Sequence, residues 1–74
     1  MIDLAEIRRA AGRTQVELAT GLGTSQGQIS RIEHQSDLLL STLIAYLTAL
    51  GVEASLVVTA GGKTIAQELT ERRR

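Results

Sequence analysis

Thr14-Gln15-Val16-Glu17-Leu18-Ala19-Thr20-Gly21-Leu22-Gly23-Thr24-Ser25-Gln26-Gly27-Gln28-Ile29-Ser30-Arg31-Ile32-Glu33 is the stretch on which the fold turns. It holds two helix starts of one kind. Thr14 is followed three residues later by Glu17, and Ser25 by Gln28. In that pattern a short hydroxyl side chain caps the helix and the acid or amide reaches back to it. Leu18, Ala19 and Leu22 then recur at helical spacing, as do Ile29 and Ile32. Gly23-Thr24-Ser25 between them has room only for a tight turn. A glycine-containing turn of about three to four residues joins two helices at a steep angle, so the stretch predicts a helix-turn-helix.

The same punctuation extends in both directions. Asp3 and Glu6 repeat the capping pattern, and glycines at 12, 23 and 51 mark helix ends. The reading gives helices over 4–11, 15–22, 26–34 and 42–50, with Ser41 as cap of the last. Leu4 and Ile7 face inward on the first, and Leu43, Leu47 and Leu50, with Ile44 beside them, on the fourth. After Gly51 the period changes. Val52 to Ala60 is short and β-branched, bounded by Gly51 and Gly61-Gly62, and predicts one strand. Residues 63–69 are compatible with a short helix, and Arg72-Arg73-Arg74 with a frayed end. The domain organisation expected is a helix-turn-helix unit over 1–52, a strand of the same domain over 53–60 and a tail over 61–74.

A chain of 74 residues forms one small domain, marginal without reinforcement. It has no cysteine and a single histidine, His34, so no disulfide or metal site is expected, and no cofactor. His34 reads as a surface residue at a helix end. Self-association or a partner is the reinforcement left. The N-terminus lacks a basic start and apolar run, and the greasy stretch over 38–50 is interrupted by Ser41, Thr42, Tyr46 and Thr48. The expectation is a cytoplasmic protein with no membrane partner. Eight basic and eight acidic residues cancel, which argues against a strongly electrostatic nucleic-acid binder but permits a few charges gathered on one face. Tyr46 is the sole aromatic residue, too little for stacking unpaired bases. The polar residues are accounted for by caps and an outward face, so no enzyme is expected.

The chemistry of the outward face fits duplex DNA. With Ile29 and Ile32 inward, a 100° advance per residue turns Gly27, Ser30, Arg31 and His34 outward, with Gln26 and Gln28 at the N-terminal end. That end enters the major groove in helix-turn-helix proteins. Glutamine can pair with adenine through one donor and one acceptor, and arginine can fork onto guanine. Gly27 costs roughly 1 kcal/mol against alanine inside a helix, and a bare backbone there allows close approach to base edges. Thr14 and Gln15 open a helix whose N-terminal amides can hold a phosphate, with Arg13 just before them. The expected DNA contacts are Arg13, Thr14, Gln15, Ser25, Gln26, Gly27, Gln28, Ser30 and Arg31.

Residues 7–19 and 23–33, with their "TQxxLA…SxxxISRIE" string, resemble the Cro/C1 (Xre) family of phage-repressor-like domains. The resemblance covers residues 3 to 52. It implies a mainly α, lambda-repressor-like fold and DNA contacts at Gln15, Gln26, Gln28 and Arg31, with position 27 facing DNA. It also implies an ion pair between Arg8 and Glu33. The family commonly carries five helices, whereas this sequence predicts a strand where the fifth would stand.

A lone strand needs a ladder. The expectation is that Ala54, Ser55, Leu56, Val57, Val58 and Thr59 pair with the same strand of a second copy, giving a homodimer, or add to the edge of a partner's sheet. A two-fold dimer would present its recognition helices about 34 Å apart. The segment Asp37-Leu38-Leu39-Leu40-Ser41-Thr42-Leu43, with Ala49-Leu50-Gly51 and the strand behind it, is similar to antitoxins of the HigA and HipB type. That likeness implies a prokaryotic, nucleoid-associated repressor of its own operon, bound to a double-stranded operator and to a ribonuclease or kinase toxin. The alternatives are a stand-alone phage-type repressor, or an interaction module that keeps the fold without binding DNA.

Overall fold

The computed structural model describes residues 2–71; Arg72, Arg73 and Arg74, expected to form a frayed end, lie outside the described residues. Helices α1 (Leu4–Ala10), α2 (Gln15–Leu22), α3 (Gln26–His34) and α4 (Leu40–Leu50) are followed by strands β1 (Ser55–Ala60) and β2 (Lys63–Glu68). The architecture is mainly α with a β element at the C-terminal end.

The helix starts follow the capping chemistry. Asp3 accepts from the Glu6 amide at 3.0 Å, and Ser25 accepts from the Gln28 amide at 3.1 Å. At α2 the capping box closes: Thr14 Oγ1 accepts from the Glu17 amide at 3.1 Å, and the Thr14 amide donates to Glu17 Oε1 at 2.9 Å. That backbone donor, followed by the Thr14 side chain, holds the Glu17 carboxyl below its ordinary range. Gly23, at φ 67°, ends α2 in the left-handed conformation, and the amides of Gly23 and Thr24 return to the carbonyls of Thr20 and Ala19. Glycine adopts that conformation without the Cβ penalty. This turn sets the direction from which α3 departs.

The fourth start departs from the sequence reading. α4 begins at Leu40, with Leu39 at the cap position and no side-chain capping bond, so Ser41 lies inside the first turn rather than capping it. An apolar segment supplies the start, and packing of the α4 face holds it in place.

The core gathers Leu4, Leu18, Ala19, Ile29, Ile32, Tyr46, Leu47 and Leu50, with Ile7, Leu22, Leu43, Val52 and Ala54 partly buried against it. α2 packs on both α3 and α4. Tyr46 is fully buried. It stands three residues after Leu43 and four before Leu50, on the same stripe of α4, so its spacing marks it as core although its hydroxyl does not.

The C-terminal element corrects a second expectation. The reading of one strand with a possible short helix over 63–69 gives way to an antiparallel hairpin, in register from Ser55 opposite Glu68 to Ala60 opposite Lys63. The β1 ladder groups are therefore met by the chain's own β2. Gly61 and Gly62, at φ 58° and 75°, form the connecting turn. Positive φ at both central residues matches the twist of the flanking strands, and a Gly-Gly pair between two β-capable runs is a hairpin signal. It was readable, but Ala66, Gln67 and Glu68 are helix formers and mask it. Six residues are too few to sustain a helix without packing, so pairing wins.

Ala54 and Leu69 extend the hairpin root through a 2.9 Å bond, and Thr70 Oγ1, on a buried residue, accepts from the Ala54 amide at 3.1 Å. Beyond that root every residue of both strands is exposed. No helix among the described residues is long and apolar enough to cross a membrane.

The two kinds of helix start should separate on mutation. Thr14→Ala should cost about 1 kcal/mol in urea unfolding, because a backbone donor loses its partner. Ser41→Ala should stay within about 0.5 kcal/mol of the parent, as befits a surface position without such a bond.

Candidate nucleic-acid interface

One face of the molecule is built around a buried charge. Glu33, in the last turn of α3, has a side chain that keeps only 2% of its exposure, and Arg8 from α1 reaches it at 2.7 Å from Nε to Oε2. A second contact runs from Arg8 Nη2 to Oε1 at 3.4 Å. Arg8 Nη1 donates to the carbonyl of Arg13 at 2.9 Å, so the same guanidinium fixes the loop that leads into α2. The Tyr46 hydroxyl donates to Glu33 Oε2 at 2.6 Å and lies 3.2 Å from the carbonyl of Leu4. Burial alone would raise the Glu33 carboxyl, but the bonds from Arg8, Tyr46 and Gln15 outweigh it and hold the group below its ordinary value. Burial, then the adjacent carboxylate, pushes the Tyr46 phenol above its own ordinary value. Both groups therefore stay in the charge states that the geometry needs at neutral pH. The ion pair implied by the sequence resemblance is thus present, and Tyr46 is the member of the cluster that sequence reasoning missed.

From this cluster the interface is assembled outward. Gln15 Nε2 donates to Glu33 Oε1 at 3.0 Å, and Gln26 Nε2 donates to Gln15 Oε1 at 3.3 Å. The first turns of α2 and α3 are thereby tied to each other and to the core. Arg13, Thr14, Ser25, Gln26, Gly27, Gln28 and Arg31 are exposed, while Gln15 and Ser30 are half-buried. Ile29 and Ile32 are buried beneath them, which fixes the outward direction of α3. His34 is exposed at the helix end, its Nδ1 2.7 Å from the Ser30 carbonyl.

At the start of α2 the Thr14 and Glu17 amides already serve the capping box, and Glu17 brings a negative charge there. The amides of Gln15 and Val16, the Thr14 hydroxyl proton and Arg13 are what remain for a phosphate. Gly27 has no internal reason to be glycine: an added Cβ would meet only Ser25 Oγ, at 3.9 Å. Leu56, Val57 and Val58 are exposed on β1, as are Ser55 and Thr59, while Ala54 is half-buried at the root.

The arrangement offers hydrogen-bonding amides, a guanidinium and a bare backbone on one convex helix face, suited to reading base edges in a major groove. A helix-turn-helix family model matches residues 4–57. Two solved structures are similar over almost the whole chain. One is a HigA antitoxin with induced DNA bending and a unique dimerization, at 37% identity and a TM-score of 0.77, covering 90% of this chain and 93% of that one. The other is a DNA-bound antitoxin HigA3, at 38% identity and a TM-score of 0.76, covering 100% of this chain and 96% of that one. No curated protein sequence matches.

Removing either Arg8 or Glu33 strands a buried charge, so Arg8→Ala and Glu33→Ala should each cost about 3–5 kcal/mol. A double-mutant cycle should show the two losses far from additive. A lowered carboxyl pKa stabilises above the ordinary value of 4.5 and loses that contribution as pH falls through the native value. Urea midpoints should therefore drop below about pH 4.5 more steeply for the parent than for Glu33→Gln. Gly27→Ala should raise stability by about 0.5–1 kcal/mol while weakening binding to duplex DNA in the same preparation.

Proposed function

The chain belongs to the Cro/C1-type helix-turn-helix family, and on that premise we propose that it is a sequence-specific, double-stranded DNA-binding repressor acting as a HigA-type antitoxin. The family is one of DNA-binding proteins and not of enzymes. The observation that carries the reading is the outward presentation of Gln26, Gly27, Gln28 and Arg31 on a helix whose inner face is locked by Ile29 and Ile32. Arg13, Thr14, Gln15, Ser25 and Ser30 complete the proposed contact set, mainly toward phosphates. The proposed unit of DNA binding spans residues 1–52, and the hairpin serves assembly.

The proposed homodimer uses the hairpin. Its register puts Leu56 and Val58 on one face with Ile65, all about half exposed. A second copy is the occupant that this face fits, and the DNA-bending HigA relative is one that dimerizes. Ala54, Ser55, Leu56, Val57, Val58 and Thr59 remain the proposed β1 contribution, now joined by β2. Repression of its own operon, neutralisation of a toxin of the ribonuclease or kinase type, and residence in a prokaryotic cytoplasm at the nucleoid complete the proposal.

Retardation of a duplex from upstream of its own gene, weakening as salt rises, tests the DNA reading. Arg31→Ala should cost about 1–3 kcal/mol and relax preference at one base pair. Absence of any retardation would leave an interaction module. Ile65→Lys places a charge where the monomer already exposes the side chain, so the fold should persist. Sedimentation should then report a monomer, with weakened operator binding because the half-sites are no longer linked. Purification from the native operon should bring down a second protein, the toxin.

A further inference from the structure

We infer that two copies of the chain pack their hairpins face to face and antiparallel, so that Lys63 at the tip of each enters an acid-rimmed groove at the root of the other. The inference rests on the homodimer reading above. It deepens that reading by naming the register of the contact and a second site within it.

Strand alternation sorts the hairpin into two faces. Leu56 lies opposite Gln67, Val58 opposite Ile65 and Ala60 opposite Lys63, so these six side chains share one face. The ladder continues a step beyond the strands, where the Leu69 amide donates to the Ala54 carbonyl at 2.9 Å. Ala54 and Leu69 therefore belong to the same face, and both are half-buried at the root. An apolar surface thus runs from Val58 and Ile65 down to the helical body. Lys63, the one cation of the two strands, stands at its far end.

At the root this surface opens into a groove of about 560 Å³ between α4 and the hairpin, with Ile44, Val52 and Leu69 on its walls and Glu53 and Glu71 beside them. Lysine suits such a place, because its methylene stem lies along apolar surface while the ammonium reaches a carboxylate. The chain cannot fill the groove with its own Lys63. Six strand residues separate positions 63 and 69, a distance of roughly 20 Å, far more than one side chain spans.

A second copy supplies the match. A two-fold axis at the level of Ala66 exchanges positions 63 and 69, and positions 65 and 67, between the copies. Leu56 and Gln67 then lie against the partner's Val58 and Ile65, and Lys63 lies over the partner's Leu69, beside Glu53 and Glu71 of the partner subunit. The symmetry forms this contact twice. Packing the hairpins parallel instead would set tip against tip, with Lys63 facing Lys63 and the carboxylates facing no cation. Charge therefore selects the antiparallel register.

Dimer dissociation constants of the full chain, measured by sedimentation equilibrium, test the register. Lys63→Glu should weaken the dimer about tenfold or more, since like charges then meet at both symmetric contacts. Glu53→Lys combined with Glu71→Lys should weaken it similarly, although it moves the net charge in the opposite direction. All three substitutions together should return the constant to within about threefold of the wild type, because the pairing is restored with its sign reversed. The three side chains are exposed in the monomer, and recovery in the combined variant also shows that the fold is kept. Each single-sided loss should shrink in about 1 M salt. A dimer indifferent to either reversal, or a loss that the combination does not repair, would overturn the tip-to-root register and leave the homodimer standing. A wild type that sediments as a monomer at every concentration would instead remove the homodimer reading.

Discussion

A carboxylate taken out of water retains its charge only where donors replace the lost solvent. Glu33 has four groups that do so, from Arg8, Gln15 and Tyr46, and these come from three different helices. The cluster therefore acts as the joint at which α1, α2, α3 and α4 meet. Hydrophobic contacts between Leu4, Leu18, Ile29, Tyr46 and Leu50 supply the general attraction. They are tolerant of sliding, whereas a charge with directed partners is not. Arg8 extends the constraint to the Arg13 carbonyl, so the loop before α2 is located by the same group. In this fold the placement of the outward face is a consequence of how an inner charge is satisfied.

How much of this was legible in the sequence depended on whether the signal was local. Residues 15–22 and 26–34 were readable as helices because their caps, apolar spacing and the glycine between them all lie within a few residues. Position 41 misled because a serine before an apolar run looks like a cap, yet the chain enters α4 two residues earlier. Residues 63–68 misled because their composition favours helix, and only the ladder with β1 decides otherwise. The exposed members of the outward face of α3 followed from the direction of Ile29 and Ile32. The bonds that connect Gln15 to Glu33, and Tyr46 to Glu33, span 18 and 13 residues and leave no local trace. Arg8 and Glu33 were reachable only through likeness to a family.

The hairpin stands in a different physical regime from the helices. Its root is held by Ala54, Leu69 and Thr70, whereas every residue of its strands is exposed. A two-stranded ribbon in water is marginal by itself, so cover over Leu56, Val58 and Ile65 would add to its stability. The helical part, by contrast, keeps its own core. A chain of 74 residues thus combines one part with a buried core and another whose side chains are exposed.

The position of Tyr46 has an optical consequence. The chain has one tyrosine, no tryptophan and no phenylalanine, so its near-ultraviolet signal originates from a single ring. That ring is fully buried, and its hydroxyl donates to a carboxylate, an arrangement in which an excited phenol readily loses its proton and its emission is quenched. Loss of the charged joint would release the ring to water and restore ordinary tyrosine emission. Events confined to the hairpin, which has no aromatic residue, would be silent at the same wavelengths. The molecule thus carries a built-in chromophore at the point where its helices meet, and fluorescence and far-ultraviolet dichroism together would resolve the two parts without any label.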